Sequence, residues 1–410
     1  MSGFTAAQRD EITRLFGAGH LQRLEAAGAD FFEGSASGAY LWDADGRRFF
    51  DCIGGAGIYN LGRRHPELVA ALRQAMQAAD QGNFPMISRE KADLAGALAA
   101  FAGGGLQCAV FAVARGESVD FACKSARGAT RRAELISVDG AWHGETGFAM
   151  TLSDRPDKQR FGPLLPGVRT IPFGDVDAAV QAVTNKTAMV IIEAVQVENH
   201  CRRAPDEYLR ELARICRKAG ALICMDETQT GFGRTGTRFA YGASGIRPDM
   251  LVLGEALGGG VFPIAAVLQT EAVHRFMNAH PLIHLSTFGG SDVGCRVAFR
   301  ALEIYEQIRP WENAARMGDR LGEGLEGLAA RFPGVVRSVS GAGLAWSIEC
   351  RDEKTAGVLR QRAAGNGVLA AVGRVCRSAV VLRPSLLVAE SEVQQIVGGI
   401  EAALQETAAE

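Results

Sequence analysis

The chain has 410 residues, 47% of them hydrophobic, with 50 glycines and a formal net charge of −2. That length allows a large core and more than one domain, and the near-neutral balance leaves no electrostatic footprint for nucleic acid or an anionic membrane surface. No apolar run approaches the ~20 residues of a membrane helix. The N-terminus lacks a basic stretch followed by an apolar one, so a cytoplasmic location is expected. The nine cysteines are scattered with no CxxC pair, which points to reduced thiols rather than a disulfide framework or a metal site.

In chain order, residues 5–27 carry apolar residues at helical spacing and predict one amphipathic helix. Gly38 to Asp51 predicts a β-hairpin whose turn is Asp45-Gly46. From about residue 65 to 300, short apolar runs alternate with helical patterns, which argues for βαβ units and a mostly parallel sheet. One helix is expected from Glu117 to Arg127, with Val119, Ala122, Cys123 and Ala126 on one face. Met189-Val190-Ile191-Ile192 and Ala221-Leu222-Ile223-Cys224-Met225 read as buried strands. Between them Tyr208, Leu209, Leu212, Ile215 and Cys216 mark a helix that Gly220 stops. This crossover delivers Asp226 to the carboxyl end of its second strand, where open α/β sheets bind ligands. A helix from Arg300 to Ile308, further strands and a last helix at 391–405 follow. The expected division is a large domain over 61–300 and a smaller α+β domain built from 1–60 and 301–410.

Six segments carry chemistry. They are Phe111-Ala112-Val113-Ala114-Arg115-Gly116-Glu117-Ser118, Ala141-Trp142-His143-Gly144, Glu193-Ala194-Val195-Gln196-Val197-Glu198, Asp226-Glu227-Thr228-Gln229-Thr230-Gly231-Phe232-Gly233-Arg234, Gly254-Glu255-Ala256-Leu257-Gly258, and Ser286-Thr287-Phe288-Gly289-Gly290-Ser291. In order and spacing, from Gly38 to the C-terminus, the chain resembles the class III aminotransferases of the ornithine and ω-amino-acid type. The resemblance implies the fold type I of transferases that use pyridoxal 5′-phosphate (PLP): a large domain around a mostly parallel, seven-stranded kind of sheet, and a smaller α+β domain from both termini. It also implies a small-molecule substrate and a homodimer with shared sites.

By the same resemblance, Asp226 pairs with the pyridine nitrogen and keeps it protonated, so that the ring accepts electrons. Trp142 stacks on the ring face, His143 lies beside it and Gln229 sits near the phenolic oxygen. Arg115 and Gly116 lie in the phosphate loop that feeds the helix beginning at Glu117, whose exposed first amides favour the phosphate, and Thr287 reaches the phosphate of the neighbouring subunit. Glu193 and Glu198 fall on the substrate side. Glu198 matches a gating glutamate whose arginine partner occupies the slot of Val381 here, with Arg383 two residues further on, a displacement of about 6–7 Å along a strand. Arg115-Gly116 replaces a Gly-Ser/Thr pair, so a hydroxyl is lost and a cation gained. Arg115 is free to bind phosphate, to fill the pocket or to pair with Glu255. Arg63, in the place of a family histidine, reads as part of a packed turn opening a helix.

The largest departure is Glu255. It holds the place of the lysine that binds PLP as a Schiff base, and a carboxylate cannot form an imine. The six lysines, at 91, 124, 158, 186, 218 and 354, offer no substitute in a cofactor motif. Three readings stay open. The protein binds PLP or its amine form pyridoxamine 5′-phosphate (PMP) without a covalent link and uses Glu255 as general acid or base. Or the fold serves PLP-independent chemistry through a new polar site of Arg115, Arg63, Glu255 and Glu198. Or the chain is a non-catalytic subunit of an active homologue.

Overall fold

The computed structural model describes residues 3–82 and 86–409; the side chain of Glu255 lies outside the described set. A seven-stranded sheet forms the centre. Its strands, numbered in chain order, are β1 (Leu106–Ala112), β2 (Glu134–Val138), β3 (Val168–Ile171), β4 (Thr187–Ile192), β5 (Leu222–Asp226), β6 (Met250–Leu253) and β7 (Ala265–Thr270). In space they run β1-β7-β6-β5-β4-β2-β3. Only β7 is antiparallel to its neighbours; the other pairings are parallel. The β4 and β6 strands are buried at every position, as expected of strands covered by helices on both faces.

The predicted crossover is present: β4, the helix Asp206–Ala219, then β5, with Met225 in register with Ile192. Gly220 ends that helix in the left-handed conformation, its amide bonding back to the Cys216 and Arg217 carbonyls. The carboxyl ends of β4, β5 and β6 therefore lie side by side, followed in sequence by Glu193, Glu227 and Gly254.

The two ends of the chain pack together. Glu33–Ser37, Tyr40–Asp43 and Arg48–Asp51 form an antiparallel meander, which includes the predicted hairpin, and Val368–Leu369 adds a parallel strand to it. Ala39, Phe50 and Cys52 share a core with residues between Ala314 and Leu404. A second antiparallel sheet holds Val336–Ala342, Ala345–Cys350, Ala379–Leu382 and Ala371–Val372 in that spatial order. The predicted single helix over 5–27 is two, Ala6–Phe16 and Ala18–Ala26. The break is Gly17, whose φ of 89° suits glycine and whose amide caps the first helix on the Thr13 carbonyl. No helix among the described residues is long and apolar enough to cross a membrane.

Candidate active site

Asp226 ends β5 fully buried. Its Oδ1 accepts the Thr228 amide at 2.9 Å and the Thr228 hydroxyl at 2.6 Å. Its Oδ2 accepts Nδ1–H of His143 at 2.7 Å. Burial alone would raise the carboxyl, but the His143 hydrogen bond and charge, the Arg115 charge and the Thr228 bond hold it below its ordinary value. The result is an ionised carboxylate with acceptor capacity left on Oδ2, which suits a protonated ring nitrogen. The neighbouring Glu193 goes the other way: burial, then the negative charge of Asp226, push it well above its usual range. Two acids of one cluster are thus shifted in opposite directions.

The loop carrying Trp142 and His143 is pinned to the same cluster. The Trp142 amide donates to Glu193 Oε2 at 2.8 Å and the His143 amide to Ser153 Oγ at 2.8 Å. His143 Nε2 is buried with no partner. The Trp142 indole lies under two guanidinium groups, Arg374 at 4.9 Å and Arg155 at 5.3 Å from its ring centre.

Against this loop stands the N-terminus of α1 (Arg115–Thr130). It begins two residues earlier than the apolar spacing predicts. Its cap residue, Ala114, has no side-chain oxygen for the first amides. The side chain of Glu117 turns back to accept the Val113 amide at 2.8 Å. A Cβ on Gly116 would come within 2.6 Å of Thr146 Oγ1, so glycine is what lets the helix end touch the 141–146 loop. Ser118, one turn inside, is fully buried, and its Oγ has no partner. Open amides at the positive end of a 16-residue helix, an unpaired hydroxyl and the buried Arg115 are groups of the kind that hold a phosphate. Arg115 bears electrostatically on both Asp226 and Glu193, which places its charge inside the site. An ionised Asp226, an unpaired Ser118 hydroxyl and free helix amides are acceptor and donor types that suit the PLP group implied by the sequence.

Glu198 and Arg383 form a buried ion pair, Nη1 to Oε1 at 2.7 Å, with side chains 4% and 3% exposed. This corrects the misalignment read from sequence. Arg383 lies just past the strand Ala379–Leu382, its amide bonds the Cys52 carbonyl, and its side chain reaches Glu198, while Val381 packs with Val195 and Val197. Gln229 joins the pair, donating to Glu198 Oε1 at 3.1 Å and accepting from Arg383 Nη1 at 2.8 Å. The Arg374 amide holds the other Glu198 oxygen at 3.0 Å. Burial opposes ionisation of Glu198, and the Arg383 charge and hydrogen bond overcome it, so its pKa is lowered.

Two sequence-marked groups stand apart. Thr287 lies on an exposed loop with Phe288, which is 57% exposed, and Gly290 of the same loop abuts Phe111 at the end of β1. Arg63 bonds Asp51 at 2.6 Å and Glu33 at 3.2 Å and stacks on Tyr59, in the turn before the helix Pro66–Ala78. Glu255 opens a short turn, Glu255–Gly258, after β6; its side chain lies outside the described residues. Lys124 bonds His284, and Lys158 bonds the Thr151 and Ser153 carbonyls.

Residues 26–404 match the family described as Aminotransferase class-III. The chain belongs to that family. An uncharacterized aminotransferase of Archaeoglobus fulgidus is 37% identical over 382 residues, covering 92% of this chain and 90% of the other. A thermostable (S)-enantioselective omega-transaminase from Thermomicrobium roseum superposes with a TM-score of 0.88 at 27% identity, over 99% of this chain and all of that one. The ornithine aminotransferase of Toxoplasma gondii, whose crystals hold PLP at partial occupancy, shares the fold with a TM-score of 0.90 at 24% identity, over 99% of this chain and 96% of that one. The fold of this class III protein is therefore the PLP-dependent transferase fold expected from its motifs.

Sequence reasoning missed Ser118, Glu227 and Arg374. Ser118 carried a signal, a hydroxyl in the helix that lost its Gly-Ser/Thr pair. Glu227 accepts the Thr230 hydroxyl and the Tyr241 amide, and burial pushes it up to about 7. Its pKa is raised on folding, so its stabilising share is full below about pH 4.5 and is lost as pH rises to 7. Glu227→Gln is expected to remove about 3 kcal/mol of that pH dependence. Urea denaturation of both proteins from pH 4.5 to 8 measures it; parallel curves would show that Glu227 titrates normally.

Proposed function

We propose that this class III protein binds PLP or PMP without a covalent link and acts on an amino acid or another amine-bearing metabolite, with Glu255 as the general acid or base. The observation that supports this reading is an ionised Asp226 with acceptor capacity to spare, in electrostatic contact with Arg115 at the start of α1, where the first amides and Ser118 Oγ lack partners. When bound, the cofactor supplies an electron-accepting ring for charge developing at the carbon beside the substrate nitrogen. Asp226 holds the proton on the ring nitrogen, and His143 fixes the orientation of Asp226. Trp142 covers the ring and keeps water away. The Glu198–Arg383 pair, braced by Gln229, closes the substrate side; a substrate carboxylate competes for Arg383 and a substrate amine for Glu198. A carboxyl group at position 255 moves the proton that a lysine amine moves elsewhere in the family. Large domain 61–300 and small domain 1–60 with 301–410 are the units between which this site forms.

Calorimetric titration with PMP and with PLP tests the reading. Binding in the micromolar range is expected, weakened about tenfold or more in Asp226→Asn, which removes a charged hydrogen bond. No binding of either compound at high micromolar concentration would sink the proposal.

The shared-site dimer is part of this reading. The loop of Thr287 also exposes Leu282, Ile283 and Leu285, each more than half exposed, a strip of apolar surface of the kind that subunit contacts cover. Phe288→Asp is expected to move the protein from dimer to monomer in light scattering and to weaken PMP binding, since Thr287 would no longer reach a neighbour's phosphate. A monomeric native protein with undiminished PMP affinity refutes the shared site.

A further inference from the structure

Behind Trp142 lies a cavity of about 410 Å³ whose walls carry five arginines: Arg23, Arg155, Arg360, Arg374 and Arg377. The carboxylates near it are fewer. Asp157 is spent on Arg155, and Glu145 bridges Arg155 and Arg374 at 3.2 and 2.9 Å. Glu353 is the remaining acid in the wall. Among the described residues no ion pair within 4 Å engages Arg23, Arg360 or Arg377, although the Arg377 charge also acts on Asp157. Arg360 is tethered by one bond to the Ala26 carbonyl at 2.8 Å, and its Nε is buried with no partner. Burial, then the charge of Arg23, act against its ionisation. Arg23, Arg374 and Arg377 face solvent while Arg155 and Arg360 are half-buried, so the wall presents several accessible guanidinium groups of one sign to whatever enters the cavity.

We propose that this cavity is a binding site for a small polyanion, a molecule carrying a phosphoryl group or several carboxylates, distinct from the groups at the start of α1. Guanidinium forks match both head groups in geometry, and several around one space select for more than one negative charge. The walls connect the cavity to the buried acids. The Trp142 amide is held by Glu193, and the Arg374 amide holds Glu198. An anion drawing the Arg374 and Arg155 side chains away from the indole would move the two segments that position those acids. The site does not rest on the cofactor reading: it shares Trp142 with that reading, but its five arginines are separate from Asp226, Ser118 and Arg115.

The test is calorimetric titration of the protein with inorganic pyrophosphate and with citrate at constant ionic strength, against Arg377→Gln and Arg360→Gln. Saturable 1:1 binding is expected, at least about tenfold weaker in Arg377→Gln, which removes charge-assisted hydrogen bonds from an accessible position. The same loss or more is expected in Arg360→Gln if that variant folds. The tighter of the two probes identifies the preferred head group. Absence of binding at about 10 mM, or an affinity unchanged in Arg377→Gln, overturns the proposal; in the second case the anion sits at α1 and the cofactor reading is left standing.

Discussion

Glu255→Lys is expected to turn a protein that releases PLP on dialysis into one that retains about one equivalent covalently. The argument is positional. Val252 pairs in register with Asp226, and a Cβ on Gly254 would lie 2.8 Å from the Thr228 carbonyl oxygen. The backbone of residue 255 therefore starts beside Asp226 and Thr228. On the proposed reading, an amine at that point supplies the Schiff-base anchor. Mixing Glu255→Lys protein with PLP, reducing with borohydride and weighing the product reads the result directly. Before reduction the variant shows a visible absorbance band, which borohydride abolishes, and the reduced product is heavier by one cofactor less the oxygen lost as water; the native chain shows neither. A variant with native circular dichroism and no mass gain would show that the cavity no longer presents PLP to this turn, and the proposed cofactor site would fall.

Arg383→Ala is expected to destabilise the fold by about 3–5 kcal/mol, because it leaves Glu198 buried without its cation. Removing both charges, as in Glu198→Gln with Arg383→Met, is expected to restore much of that loss. The pH dependence gives a sharper signature. In the native chain the Glu198 pKa is lowered on folding, so its contribution is present above the ordinary carboxylate value and fades as pH falls below it. In Arg383→Ala the Arg374 amide and Gln229 bonds remain, but without the cation burial becomes the dominant influence on Glu198 and raises the pKa, so the sign reverses and acidification from neutral pH should stabilise the variant relative to the native chain. Denaturation midpoints from pH 4 to 8 measure both effects. A loss below 1 kcal/mol with no change of slope would mean that the pair is solvated in solution.

The parts of the fold that were legible in sequence are those encoded locally. The strand–helix–strand unit ending at Asp226 announced itself through two apolar runs, a helical stripe and Gly220, and each lies where its pattern put it. The break at Gly17 was not legible, since an isolated glycine in a helical pattern is often tolerated. The Arg383–Glu198 pair was misplaced because register was counted along a strand, whereas Arg383 stands just beyond the strand end, where the chain is no longer bound to strand geometry. The arginines around Trp142 come from four separate stretches of chain, and no periodicity links residues 23, 155, 360 and 374. The protonation states of Glu193 and Glu227 were equally out of reach, since burial sets them.

Arg234 follows the Asp226 motif and is fully buried, its pKa drawn down to about 9 by burial and by the neighbouring charge of Arg383. Its guanidinium bonds Asn60 Oδ1 and the carbonyl oxygens of Leu344 and Pro384. During synthesis this cation waits, since its last acceptor leaves the ribosome some 150 residues after it does. A nascent chain released early therefore lacks an acceptor that this cation needs once it is buried beneath the Asp226 segment. Premature termination anywhere before Pro384 should yield insoluble product rather than a smaller working protein.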